Sequence, residues 1–334
     1  MIRSRPFRLG VVLAIAVVSL QALLIPLFAG PAANLEPRDL PIAVAGPPSA
    51  TAALKAELVA THPGAFDIRT VPDAASADEG IRDRSVYGAI VLTPNDVVVH
   101  VTSAGSPAVA ALLTQIAAAQ GSAPVLDVIP TDPHDPRGAG LGAAFLPLAM
   151  TSLLAGALIF MLVAKRTARI AGLLSFGVLA GLVGAAVQQY WLSVLPGDYG
   201  SNAAAIGLIA LAIAATVTGC GALLGRAGVA IAVVVVFLVG NGLSAVAAAP
   251  ELLPQPWGAV GHYLPIGAGA TLLRSAAYFG GSGATAEAAA LIAYVIGGLG
   301  LVLAGRRGLD PRPAGSEETP TARGTDRVPA AVDA

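Results

Sequence analysis

The sequence predicts an α-helical integral membrane protein with six transmembrane helices, a re-entrant or interfacial helix before the last, and an inserted extracytoplasmic α/β domain. Three observations carry that class. Apolar, almost uncharged stretches fall at 9–29, 143–164, 170–192, 203–224, 229–249 and 286–304, each close to the roughly 20 residues that a hydrocarbon core of about 30 Å requires. The residues between the first and second stretch are largely polar and alternate strand and helix patterns. The chain is 55% hydrophobic and only 12% charged, about half the charge of an ordinary soluble domain, with a mean hydropathy of +0.76.

The first segment, with Arg3, Arg5 and Arg8 before it, reads as an uncleaved anchor within 1–30. The competing reading is a cleaved signal peptide, because 1–8 is basic and 28–33 is rich in small residues. Signal h-regions run only about 7–15 residues, which favours the anchor. Basic residues set the orientation. Lys165, Arg166 and Arg169 fill the turn between spans two and three, Arg226 sits between four and five, and Arg306, Arg307 and Arg312 follow the last span. With six spans all these sites share one side, so both termini are expected in the cytoplasm of a cell whose plasma membrane the chain crosses. Tyr190, Trp191 and Trp257 then mark the outer boundary.

Residues 31–142 are expected to form the outer domain and its linkers. Strands are predicted at 41–45, 66–71, 87–92, 96–102 and 125–129, with helices at 49–61 (Ser49 as N-cap), 74–84 and 107–120. That order gives a small α/β sandwich. Its charge of twelve Asp and Glu against six Lys and Arg suits solubility and offers nucleic acid no basic footprint. On the second helix, Asp78, Glu79, Arg82 and Asp83 are expected on a solvated face. No chemistry is evident: His62, His100 and His134 are far apart, and no G-x-S-x-G occurs. Asp132, His134 and Asp135 sit in a Pro-punctuated linker, an improbable metal site. The one cysteine, Cys220, lies inside span four, so no disulfide braces the domain. No cofactor is expected, and with no paired catalytic groups the chain is not expected to be an enzyme.

The membrane part, 143–305, carries few polar groups. Gln188 and Gln189 read as headgroup contacts, and Asn241 as a cross-helix hydrogen bond or a substrate contact. Gly177 and Gly181, and Gly221 and Gly225, are spaced to bring helices close. Apart from Glu287 at the entrance of the last span the spans carry no carboxylate, and there is no Walker A sequence, so energy for transport would come from another chain. The segment 250–285 is too long and too apolar for a solvated loop. Three prolines stop span five, and a short helix at 267–279 is expected after His262, Tyr263 and Pro265. Non-helical backbone at membrane depth needs a protein or water-filled surround, so this segment reads as an outer gate. Trp257, His262, Tyr263, Pro265, Arg274 and Asn241 are the candidate gate or substrate-path residues. Arg274 would snorkel outward or meet an anionic lipid or substrate. The 306–334 tail reads as a disordered cytoplasmic extension.

Several stretches give the chain a family likeness: Leu40-Pro41-Ile42-Ala43-Val44, Val86-Tyr87-Gly88-Ala89-Ile90-Val91, Tyr263-Leu264-Pro265-Ile266-Gly267-Ala268 and Leu273-Arg274-Ser275-Ala276-Ala277-Tyr278-Phe279. With the arrangement of one span, an outer domain and five more spans, the chain resembles the permease subunits of type-2 ABC exporters, closest to the actinobacterial YhgE/Pip (phage infection protein) branch. The resemblance implies a permease working as a homo- or heterodimer in membrane lipid. A separate ATPase would power export of a hydrophobic or envelope-type substrate. Family permeases couple to the ATPase through a cytoplasmic helix; here only residues 1–8 and 165–170 are available, so Arg3, Arg5, Arg8, Lys165, Arg166 and Arg169 are the candidate coupling residues. The alternative is a non-transporting membrane protein whose outer domain binds an envelope component, phage or protein partner.

Overall fold

Lipid-facing character is plainest in the first helix, α1 (Ser4–Ala33), whose apolar side chains from Leu9 to Ile25 stand mostly exposed. The computed structural model describes residues 4–94, 96–119, 123–246 and 248–305. Arg3 and the 306–334 tail lie outside them. Six helices among these residues are long and apolar enough to cross a bilayer, as a multi-pass α-helical membrane protein requires.

Between the first two of these helices lies an α/β domain of three layers. Its elements run β1 (Leu40–Ala45), α2 (Pro48–Thr61), β2 (Phe66–Val71), α3 (Ala74–Arg82), β3 (Gly88–Leu92), β4 (Val97–Val101), α4 (Pro107–Ala119) and β5 (Val125–Asp127). The sheet order is β2-β1-β3-β4-β5, parallel except for the β3–β4 hairpin. The two-residue period of β1 separates the faces. Leu40, Ile42 and Val44 pack with α2 and α4, while Ala43 and Ala45 pack with Ala77 and Ile81 of α3. The predicted element order is found, with β5 ending at Asp127 rather than 129. Ser49 does not cap α2: Pro47 holds that position and Pro48 supplies the first helical φ, as proline does at a helix start.

In parallel sheets of this order, ligands favour the crevice at the carboxyl ends of β1 and β3. Gly46 stands at that end: its φ of +141° suits only glycine, and a Cβ there would lie 2.8 Å from Leu92 O.

The remaining helices are α5 (Ala139–Leu162), α6 (Arg166–Ala186) with a π-helical end at Val187–Trp191, α7 (Tyr199–Leu224), α8 (Arg226–Val233), α9 (Gly240–Leu243), α10 (Trp257–Tyr263), α11 (Pro265–Tyr278) and α12 (Thr285–Ala304). A π-helical stretch, Val234–Val239, joins α8 to α9 into one span. The centre is α7: 72% of its apolar window is buried, against a third or less in every other span. Gly177 and Gly181 of α6 let the α7 backbone approach, and a Cβ at Gly181 would lie 3.1 Å from Gly207 Cα. The predicted small-residue contact is thus found for that pair. Gly221 instead faces Phe160 and Val229, and Gly225 ends α7 at φ +71°.

Span five departs from expectation. It runs Arg226–Leu243, not 229–249, and is eight residues (26 against 18) shorter than α7, roughly 12 Å at 1.5 Å per residue. Two packings explain the loss. Residues 248–252 leave the bundle because Ala249 and Leu252 complete the core of the α/β domain. The space left is filled by α10 and α11, a helical hairpin of which only the second helix was anticipated. Gly261 of α10 lies on Leu243, and Gly269 of α11 lies on Ile209, ten residues into α7 and so roughly 15 Å along it. Pro265 starts α11 after the extended Leu264.

The two ends of the bundle differ. At one, Arg166 Nη1 donates to Leu303 O at 2.9 Å, which brings the α5–α6 turn to the end of α12, and Gly305 lies on Ala222 near the α7–α8 turn. At the other, the α/β domain is tied down by Glu36 N to Leu252 O (3.1 Å) and Arg38 N to Glu251 O (3.0 Å).

Candidate functional site

The N-terminal ends of β1 and β3 face the hairpin, and the polar groups of both parts converge there. Helix α3 ends at Arg82, Asp83 caps it, and Arg84 turns the chain at φ +59°, a conformation uncommon for a residue with a Cβ. Val86 then enters the sheet core, while the Arg84 side chain leaves the domain. Its Nη1 donates to Thr271 O of α11 at 2.9 Å, and its guanidinium lies 5.1 Å from the centre of the Phe279 ring. Gly283 makes room: its φ is +69°, and a Cβ there would stand 2.6 Å from Arg84 Cβ.

Opposite Arg84 stand Glu251, His262 and Glu287. Glu287 lies in the first turn of α12, where the helix dipole favours an anion, and is 6% exposed. His262 Nε2 meets its Oε1 at 2.5 Å, joining α10 to α12. Together with Tyr87 and Thr271 these residues line a cavity of about 150 Å³ between the α/β domain and the helices. Two atoms at its wall, Glu251 Oε2 and His262 Nδ1, are shielded from water and have no hydrogen-bond partner among the described residues. Burial raises the Tyr87 hydroxyl well above its ordinary pKa, and the facing Glu251 carboxylate adds to this; Tyr87 is therefore a neutral donor. Burial also lowers the Arg84 pKa, with Tyr87, Glu287 and Glu251 opposing the shift.

Of the predicted gate residues, this arrangement brings in His262 directly. Tyr263 is exposed beside it, its ring edge-on at 5.1 Å, and Pro265 is the buried first residue of α11. Arg274 neither snorkels nor meets solvent: it is 6% exposed, and its Nη2 donates to Val246 O at 2.8 Å. Trp257 is exposed and borders an apolar groove with Leu23, Leu27 and Leu243. The Asn241 side-chain amide makes no hydrogen bond among the described residues; the Asn241 backbone carbonyl accepts from Ser244 Oγ at 2.9 Å.

The candidate coupling residues divide. Arg8 and Lys165 are exposed, and Arg166 is exposed but bound to Leu303 O. Arg169 is 2% exposed and satisfies the end of α5, donating to Val163 O (2.6 Å) and Phe160 O (3.0 Å). Arg3 falls outside the described residues, and of Arg5 the structure describes only the backbone, in α1.

Three further expectations are corrected. Asp78 is not on a solvated face: its Oδ1 meets His100 Nδ1 at 2.6 Å, and His100 is buried on β4. Gln188 and Gln189 turn inward. Gln189 Oε1 accepts from the fully buried Asn202 at 3.3 Å, and Gln188 Nε2 donates to Gly184 O at 3.2 Å. The membrane part is also not free of buried charge, since Glu287 and Arg274 are both enclosed. In the linker, Asp135 Oδ2 accepts from the Gly140 and Leu141 amides at the start of α5, so capping is its role there. Among the described residues no group of three or more His, Cys, Asp or Glu is placed to hold a metal ion.

Reasoning from sequence missed Arg84, Tyr87, Glu251 and Glu287 as a group. The usable signal was chemical, since Glu251 and Arg274 are the only charged residues in the 250–285 segment. No family model, curated protein or solved structure matches this chain.

Proposed function

We propose that this chain is the membrane-spanning permease subunit of an ATP-driven exporter, powered by a separate ATPase, with the α10–α11 hairpin as the outer gate. The observation that carries the reading is the hairpin itself. It sits roughly 15 Å down α7 in the place of the missing end of span five. Arg84 links it to the α/β domain. A segment so seated is re-entrant, and its movement would open a path along α7.

The distribution of Lys165, Arg166 and Arg226 at one end of the bundle, with the α/β domain at the other, supports a cytoplasmic basic end and an external domain under the positive-inside rule. An apolar bundle with lipid-exposed α1 suits a hydrophobic or envelope-type substrate and leaves α1 free to meet a second subunit.

One observation favours a second reading. The turns at the basic end are short, only 163–165 and Gly225, and Arg169 is used internally. Among the described residues little surface is left there for an ATPase, which suits a non-transporting membrane protein whose domain binds an envelope component, phage or partner. Purification of the native complex decides between them. An exporter subunit copurifies with a nucleotide-binding subunit and stimulates its ATP hydrolysis. Copurification with none, together with function abolished by excising 40–130, would overturn the exporter reading.

A further inference from the structure

The cavity between the α/β domain and the hairpin is lined by groups of both charge signs, and each sign is left incompletely satisfied. Glu251 Oε2 and His262 Nδ1 are buried without partners among the described residues. Buried polar atoms in native proteins almost always have a partner. The Glu251 carboxylate oxygen accepts, and His262 Nδ1 accepts in the tautomer that gives its Nε2 hydrogen to Glu287. In that tautomer both orphans ask for N–H or O–H donors.

Arg84 asks for the opposite. A guanidinium offers five N–H groups, and the one acceptor found for it among the described residues is Thr271 O. Its hydrogen bond to Thr271 O and the Phe279 ring hold it at the wall. A simple cation would meet this fixed positive charge, and a simple anion would meet Glu251 and Glu287. Either would add an unbalanced charge to a site shielded from water.

We propose that this cavity binds a small zwitterion bearing a primary ammonium and an acidic group. The ammonium donates to Glu251 Oε2 and His262 Nδ1, and the acidic group accepts from Arg84. Size narrows the class: a cavity of about 150 Å³ accommodates a molecule of benzene's size, or about six to eight non-hydrogen atoms. Phosphoethanolamine and the smallest amino acids fit that limit. The same chemistry is offered by a free solute and by the headgroup of an aminophospholipid at the membrane surface. Because the cavity walls come from both the α/β domain and the hairpin, occupancy would tie the two together. The inference does not depend on the transport reading, since a chain that exports nothing would still bind.

The test is calorimetric titration of the full chain in phosphatidylcholine nanodiscs. Phosphoethanolamine should bind saturably. Ethanolamine and inorganic phosphate, each lacking one charge, should bind at least about tenfold more weakly, a loss of about 1.4 kcal/mol. Phosphocholine should fall as far, because its nitrogen has no hydrogen to donate. Glu251→Gln should weaken phosphoethanolamine about tenfold. If that variant does not fold, the four-ligand series on the native chain decides alone. Nanodiscs containing phosphatidylethanolamine separate the sources: loss of phosphoethanolamine binding there identifies the lipid headgroup, and unchanged binding a free solute; both support the site. Absence of saturable phosphoethanolamine binding, or equal binding of phosphocholine, would overturn the proposal.

Discussion

Replacing Gly283 with alanine should detach the α/β domain from the hairpin without unfolding either. The new Cβ at φ +69° incurs the left-handed penalty of about 1–2 kcal/mol. It also stands 2.6 Å from Arg84 Cβ, an atom fixed to the backbone that cannot rotate aside. The arginine must then move, and its hydrogen bond to Thr271 O, worth about 1.5–3 kcal/mol for a charged donor, is lost. The sum, about 2.5 kcal/mol at the low end, corresponds to nearly a hundredfold increase in opening of the junction. Hydrogen exchange reads this directly. The Glu36 and Arg38 amides, bonded to Leu252 and Glu251 where the connecting segments run beside the junction, should exchange about a hundredfold faster, while the amides of β1 keep their protection. Gly280 supplies the control: its φ is +59°, yet nothing lies within 4 Å of a Cβ there. Gly280→Ala should therefore carry the backbone penalty alone and raise junction exchange by no more than about thirtyfold. Equal exchange at Glu36 and Arg38 in Gly283→Ala, Gly280→Ala and the native chain would refute the reasoning.

Three other outcomes follow from single contacts. Asp78→Ala leaves His100 buried without its 2.6 Å partner and should destabilise the α/β domain by about 1–3 kcal/mol, seen as a lower melting temperature; an unchanged one would mean the pair is idle. Arg169→Ala uncovers the end of α5 and should lower the melting temperature or yield in detergent far more than Lys165→Ala, since Arg169 is buried and Lys165 exposed. Asp198 caps α7 by accepting from Ser201 N at 2.8 Å, and that bond holds its pKa below the usual 3.8. A depressed carboxylate pKa contributes stability above the unfolded value, and that contribution is lost as pH falls through the folded one. Protection of the Ser201 amide, relative to its intrinsic exchange rate at each pH, should thus fall below about pH 4 in the native chain, and Asp198→Asn should abolish that fall.

How much was legible in the sequence follows from the range of each interaction. Hydropathy and two-residue alternation are local, so the six spans and the order β1 to β5 could be read directly. The end of span five could not be read that way. Ala248 and Ala249 are as apolar as any membrane residue, yet they pack with the core around Leu40 and Ile42, a contact across some 200 residues of sequence. The same limit applied to Asp78, which fits a solvated helix face by spacing and is claimed by His100 through the fold. Arg274 looked like a snorkelling arginine because its acceptor, Val246 O, belongs to a neighbouring segment. The candidate site was the least legible part. Its residues come from a helix end, a strand start, a loop and three different helices, and none forms a spaced motif with another.

The proposed function places the α/β domain and the basic turns on opposite sides of the membrane, with the domain outside. Labelling of intact cells with a membrane-impermeant maleimide, in a Cys220→Ser background, tests it most directly. A cysteine at exposed Glu57 of α2 should be labelled without lysis, and one at exposed Arg226 only after lysis. Labelling of the Arg226 position in intact cells, with Glu57 protected, would contradict the account.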